Sequence, residues 1–312
     1  MTSQTLSCTI ILFVILLIAF ACRTAPPITQ STPPASLQPS ATVTSTMPQQ
    51  SEDEGKSAED FFMKEDQLSY QGYEVFKRQK KVNFKYSGGE RYPIDVASVV
   101  VKKARKTVAI FDGDEFTVDS FADLGLAPLL GKEEKQLLVA LTVRRGGRQW
   151  IVDLSPNYRE IFDTGEWGVG REGADLGFID IDKDGIWEIE SGDFWYMVFD
   201  QISMSETPVA DVIFKYDTKA RKYVPANHLF PEYSLHGIDE ASTSLPVNEG
   251  YGYLGRRVDV LLTYLYAGKE IEGWAFFDRT YKASDKAQIK ARIRNVLKDS
   301  AVYKYIRKQR GN

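Results

Sequence analysis

Cysteine and histidine are scarce in this chain, at two residues each in 312. Cys8 and Cys22 both lie near the N-terminus, so the body of the chain carries no disulfide and no thiolate metal site. His228 and His236 have no cysteine near them, which argues against zinc. Neither a G-x-S-x-G elbow nor an H-E-x-x-H helix occurs, so the common serine-hydrolase and zinc-protease signatures are missing. Charge of one sign is lacking as well. Lys and Arg total 39 against 43 Asp and Glu, a net charge of -4, which argues against a nucleic-acid partner. Long apolar runs are absent apart from Ile10 to Ala21.

That one run is short for a membrane span of about 20 residues but suits the core of an export signal. Small residues, Ala19 and Ala21, precede Cys22. The arrangement resembles the lipobox of bacterial lipoproteins. The resemblance implies cleavage after Ala21, lipid on Cys22, and attachment to a membrane at the bacterial cell envelope. Plain cleavage after Ala21, giving a secreted chain, and an uncleaved anchor are the alternatives. Residues 22–58 follow as a tether rich in Pro, Ser and Thr, with Pro26, Pro27, Pro33, Pro34, Pro39 and Pro48 breaking regular structure.

Chemistry is written most plainly in Phe178-Ile179-Asp180-Ile181-Asp182-Lys183-Asp184-Gly185-Ile186-Trp187-Glu188-Ile189. Three aspartates alternate, a glycine permits a sharp turn, and a glutamate closes the run. Ca²⁺ takes six to eight oxygens at about 2.3–2.6 Å, and this spacing can supply them. Carboxylates this crowded repel one another unless a cation lies among them. An EF-hand would need Glu at its twelfth position, where Ser191 stands. Apolar residues on either side read as strands entering and leaving the loop. The pattern D-x-D-x-D-G-x-x-E between strands resembles the calcium loops of FG-GAP and VCBS repeats. The resemblance implies side-chain ligands from Asp180, Asp182, Asp184 and Glu188, a carbonyl ligand from Ile186, and a structural Ca²⁺ over residues 180–188. The motif occurs once here, where those proteins repeat it.

The remainder predicts an α+β fold. A mainly antiparallel β body, a sandwich or a small propeller-like stack, occupies residues 59–235, and a helical segment occupies 250–308. Strands are expected at 96–102, 107–111, 137–143, 149–154, 158–162, 194–199, 209–216 and 222–224, after a short helix over 59–68. The basic runs 77–81 and 102–106 read as solvated strand edges or turns. The apolar stretch 121–130 reads as a core-packing connection, with an exposed partner surface as its alternative. Trp167, in a glycine-rich loop beside Glu166, is a candidate for stacking on a sugar ring. Helical spacing returns with Val258, Leu262 and Leu265, then over 271–281, then in a third helix capped by Ser284 with Ile289, Ile293, Val296 and Leu297 inward. Tyr264, Gly268, Gly273 and Phe277 resemble one tetratricopeptide-type hairpin, which implies a protein-binding surface.

No catalytic constellation emerges. Asp163/Glu166 and Asp112/Asp114 are carboxylate pairs of the type used in glycoside chemistry. The expectation is therefore a calcium-stapled binding or scaffold lipoprotein with a protein or glycan partner. The alternative is a calcium-dependent extracytoplasmic hydrolase acting on cell-wall or polysaccharide material.

Overall fold

Five consecutive apolar residues, Leu137 to Leu141, sit in strand β7 (Gln136–Val143), and the computed structural model buries all of them. Side chains alternate across a strand, so an unbroken apolar run requires cover on both faces. Leu137, Val139 and Leu141 join one core, and Leu138 joins another. The sheet containing β7 is thus a middle layer, with one sheet on either side.

The structure describes residues 55–85, 89–112, 120–131, 133–143, 146–170, 176–195, 198–200, 202–238, 245 and 252–311. The expectations for the export signal, the tether and Cys22 lie outside these residues.

Three antiparallel sheets make up the body, consistent with an α+β fold, and no closed barrel is formed among the described residues. The first contains β2 (Gln67–Tyr70), β3 (Tyr73–Lys85), β4 (Arg91–Lys103) and β5 (Lys106–Asp112), in that order. The middle sheet runs β6 (Phe121–Ala127), β7, β8 (Gly146–Asp153) and β9 (Arg159–Asp163). In the third, β1 (Lys56–Ser57) lies beside β10 (Gly177–Ile179), followed by β11 (Glu188–Phe194), β12 (Val209–Asp217) and β13 (Lys222–Pro225). Each sheet is a sequential meander except for β1, so nearly all pairing is local along the chain.

Val75, Val99 and Val101 of the first sheet pack with Leu137, Val139, Trp150 and Val152 of the middle sheet. On the opposite face Leu138, Ile151 and Phe162 meet Phe178, Ile189, Val212 and Phe214 of the third sheet. Phe162 lies edge-on to Phe214 with ring centroids 4.9 Å apart. The apolar stretch 121–130 is mostly strand β6, with Leu124, Ala127 and Leu129 fully buried, although Phe121 at its start is exposed.

Six α-helices are described: α1 (Thr164–Trp167), α2 (Pro231–Ser234), α3 (Gly255–Tyr266), α4 (Glu270–Thr280), α5 (Lys286–Asp299) and α6 (Ala301–Gln309). None is long and apolar enough to cross a membrane. Val258, Leu261, Leu265, Phe277, Ile293 and Val302 of the C-terminal helices belong to the same core as the third sheet. Gly268, at φ 78°, follows the α3 C-cap, as a helix C-terminus favours. Gly273 lets α4 approach α3 closely; a Cβ there would lie 2.8 Å from that of Tyr264.

Several expectations need correction. The helix over 59–68 is a single 3-10 turn, Ala58–Phe61, and Leu68 already belongs to β2. Ser57, not Glu59, starts that turn by capping it. The strand expected over 194–199 does not continue past Phe194 among the described residues: β11 ends there, Trp195 is buried and its amide bonds the Pro208 carbonyl, and 196–197 lie outside the described residues. Asp285 rather than Ser284 precedes α5. A further helix, α6, begins at Ser300, whose hydroxyl accepts from the Tyr303 amide.

Helix α3 docks on β12 partly through Asp259, whose Oδ1 accepts the Val209 amide at 2.9 Å. Burial pushes its carboxyl up to about 6, against the pull of that bond. A raised carboxyl makes the folded state the better proton binder. The stability linked to Asp259 is therefore full below about pH 4 and is lost as the pH rises to about 6, by roughly 2–3 kcal/mol. Asp259→Asn keeps the acceptor and removes the charge. Urea melts should show the variant more stable than the parent by that amount at pH 8 and equal to it at pH 4.

Candidate metal centre

Strands β10 and β11 pair Gly177 with Glu190, Phe178 with Ile189, and Ile179 with Glu188. Phe178 and Ile189 are fully buried, so the hairpin is anchored in the core and its connection projects outward. Within that connection Asp180 folds back on the chain. Its two carboxylate oxygens accept the amides of Asp184 at 3.1 Å and Gly185 at 3.0 Å. Asp184 Oδ1 accepts the Ile186 amide at 2.8 Å, and Glu188 Oε2 accepts the Ile181 amide at 2.8 Å. Lys183 and Gly185 both adopt positive φ, 59° and 82°, which curls the backbone around its acidic side chains.

A second segment braces this curl. The Trp187 amide bonds the Leu129 carbonyl at 2.9 Å, and Tyr223 Oη donates to the Trp187 carbonyl at 3.0 Å. Gly131, at φ 67°, lies so close that a Cβ would fall 2.1 Å from the Gly185 carbonyl oxygen. Only glycine fits there.

Carboxylate oxygens of Asp180, Asp182 and Glu188 lie within 4.8 Å of one another, a group that can hold a metal ion. Glu188 is fully buried, Asp180 half-buried and Asp182 exposed. The donors are all hard oxygens, the chemistry that selects Ca²⁺ or Mg²⁺ over softer metals. Asp184 stands beside this group, and the Ile186 amide is spent on Asp184.

A side chain that the motif does not contain also enters the site. Lys215 Nζ lies 2.8 Å from Asp182 Oδ2, 2.8 Å from Asp184 Oδ2 and 2.9 Å from Glu188 Oε1. It reaches them because β12 runs antiparallel to β11, with Phe214 opposite Ile189. Burial opposes its charge, but the three carboxylate bonds outweigh burial and push its ammonium well above the usual lysine range. Burial likewise raises the Glu188 carboxyl despite its bonds to Lys215 and the Ile181 amide. Asp184 goes the other way: slight burial works against its charge, yet the Lys215 and Ile186 bonds hold its carboxyl low.

Crowded carboxylates thus have an internal counter-charge, and the expectation that only a cation from solution can reconcile them is incomplete. The four acids of the loop still outnumber the two nearby lysines, Lys183 and Lys215, by two charges, the charge of one divalent ion. An ion taking oxygens from Asp182 and Glu188 would compete with Lys215 for them. The loop spacing in the sequence carries no trace of Lys215, which lies on the next strand. The one hint is a lysine at the end of an apolar stretch, Val212-Ile213-Phe214.

Other candidate residues fall into structural roles. Trp167 closes helix α1 and is buried against Phe214 and Tyr305, at 6.0 and 5.6 Å between centroids, so it offers no stacking face to a sugar. The cause is Asp163, which accepts the Gly165 amide and turns the expected loop into a helical turn. Asp163 is also chelated by Arg148, at 2.8 and 2.5 Å, and Glu166 pairs with Lys222. Asp114 lies outside the described residues. His228 is half-buried, and its Nδ1 has no hydrogen-bond partner among the described residues; burial, then Arg310, pulls its pKa down.

In comparisons with known proteins no family model matches the chain, and neither a curated protein nor a solved structure is similar to it.

Proposed function

We propose that this chain is a non-enzymatic binding or scaffold lipoprotein of the bacterial cell envelope, attached through lipid on Cys22 and stapled by one Ca²⁺ in the loop 180–188. The observation that carries the staple is the convergence of Asp180, Asp182 and Glu188 within 4.8 Å. Asp184 and the Ile186 carbonyl complete the ligand set in the FG-GAP-like reading. The ion would join β10 to β11 at the outer end of the third sheet, where the hairpin leaves the core. Its contribution is charge neutralisation and rigidity, with every donor supplied by protein oxygens. Lys215 performs the same neutralisation when calcium is scarce, so ion and ammonium are alternative occupants.

The binding reading is favoured over hydrolysis because Asp163 and Glu166, the pair suited to glycoside chemistry, are each held by a basic partner. Trp187 lies inside the loop and provides the test. Excitation of tryptophan should sensitise emission from bound Tb³⁺, and calcium should quench that emission by competition. Asp182→Ala combined with Asp184→Ala should abolish it. Failure of Tb³⁺ to show saturable emission at millimolar concentration would rule out the metal reading.

A further inference from the structure

Residues of helices α4, α5 and α6 line a cleft of about 680 Å³. Its floor is apolar, formed by buried Leu297 and Tyr303 and half-buried Trp274. Its rim carries five cationic side chains, Arg294 and Lys298 from α5 and Lys304, Arg307 and Lys308 from α6. One carboxylate, Glu270, lies among them, and it is already engaged by Tyr303 Oη and by Arg307 Nε at 3.6 Å. Among the described residues Arg294, Lys304 and Lys308 have no carboxylate partner.

Such a rim is unfavourable for the protein alone. Arg294 and Lys298 are i, i+4 neighbours on one helix, and Lys304 and Lys308 are i, i+4 neighbours on the next. Like charges at that spacing destabilise a helix. Cations near the end of α6 complement its dipole, which accounts for Arg307 and Lys308 but not for Arg294, in mid-helix, or Lys304. The whole chain, moreover, is net acidic. Arg294 is also held in place: its guanidinium carbon lies 4.7 Å from the Trp274 ring centroid, a cation–π contact.

We propose that this cleft is a binding site for a phosphate ester, its oxyanion held by Arg294, Lys298, Lys304 and Lys308 and its carbon skeleton set against the apolar lining of the cleft. The combination of a cationic rim and an apolar floor matches a ligand charged at one end only. A cleft of this size falls in the range of small-ligand sites, about 300–1,000 Å³. The same chemistry is presented by a soluble sugar or glycerol phosphate and by the headgroup of an anionic phospholipid. The inference is independent of calcium and of the lipid on Cys22.

The test is calorimetric titration of the protein with glycerol 3-phosphate in calcium-free buffer, beside sedimentation with phosphatidylglycerol vesicles and with phosphatidylcholine vesicles. Arg294→Glu with Lys304→Glu reverses two exposed charges, and circular dichroism with a thermal melt checks that the variant is folded at the temperature of the titration. Lys80→Glu with Lys81→Glu, on the exposed part of β3, controls for general electrostatic attraction. The proposal expects affinity to fall about tenfold or more in the cleft variant and to hold in the β3 variant. Binding of glycerol 3-phosphate with that pattern identifies a soluble ester. Binding of phosphatidylglycerol vesicles alone, with the same pattern, identifies a lipid headgroup. No saturable binding to either, or equal losses in both variants, overturns the proposal.

Discussion

Replacing Lys215 with methionine is expected to destabilise the protein by about 3–5 kcal/mol in the absence of divalent ions. The substitution keeps the aliphatic bulk and removes the ammonium, leaving the fully buried Glu188 carboxylate with the Ile181 amide as its one hydrogen-bond partner among the described residues. An uncompensated charge in that position is costly whatever the worth of the original pair. Calcium should then reverse the loss. Without its competitor the ion gains access to Asp182 and Glu188, and stabilisation grows as RT ln(1 + [L]/Kd), about 2.7 kcal/mol when calcium reaches a hundred times Kd. Thermal melts of parent and variant, each with chelator and with millimolar calcium, provide the measurement. The parent should respond weakly and the variant strongly. A variant that stays destabilised in calcium would leave Lys215 as the permanent counter-charge and end the metal reading.

Phe214→Ala should be equally damaging, at about 3–5 kcal/mol. Phe214 has no exposed surface and touches Phe162 of the middle sheet and Trp167 of α1. Trp167 in turn meets Tyr305 of α6, so one ring connects two sheets and the C-terminal helices. Removing it leaves a cavity that the surrounding backbone, pinned by strand pairing, closes only in part. Because sheet and helices share that core, circular dichroism of the helices and fluorescence of the buried tryptophans should report the same lowered denaturant midpoint. Two separated midpoints would show that the helices fold as an independent unit.

Local patterns in the sequence were legible where one strand or one helix face decides them. The hairpin of β7 and β8 follows from two apolar runs joined through Arg145-Gly146-Gly147-Arg148, and the acidic loop lies between strands as its flanking isoleucines require. The basic run 102–106 is the turn between β4 and β5, with Ala104 and Arg105 at positive φ. Contacts between elements distant in sequence were not legible. Lys215 enters the acidic loop only through the register of β11 on β12. Trp167 is buried because Phe214 and Tyr305, far along the chain, converge on it, and no window around residue 167 contains that information. Helix α6 was missed because Ser300, its cap, lies directly after α5, so that the two helices read as one continuous helical segment.

The middle sheet carries a hazard in its own uniformity. With Leu, Leu, Val, Ala and Leu in succession, β7 would look alike to its neighbours if it slid by one residue, since both faces are greasy. Hydrophobic alternation, which normally keeps strands in step, is silent here. Alignment falls instead to small fixed points: Gly125, where any Cβ would strike the Phe61 carbonyl at 2.4 Å, and Gly147, which tucks under the Leu141 carbonyl. Buried Gln136 adds a third, its amide oxygen taken by the Leu130 amide. Residues with the least side chain therefore guard the layer against misalignment during folding.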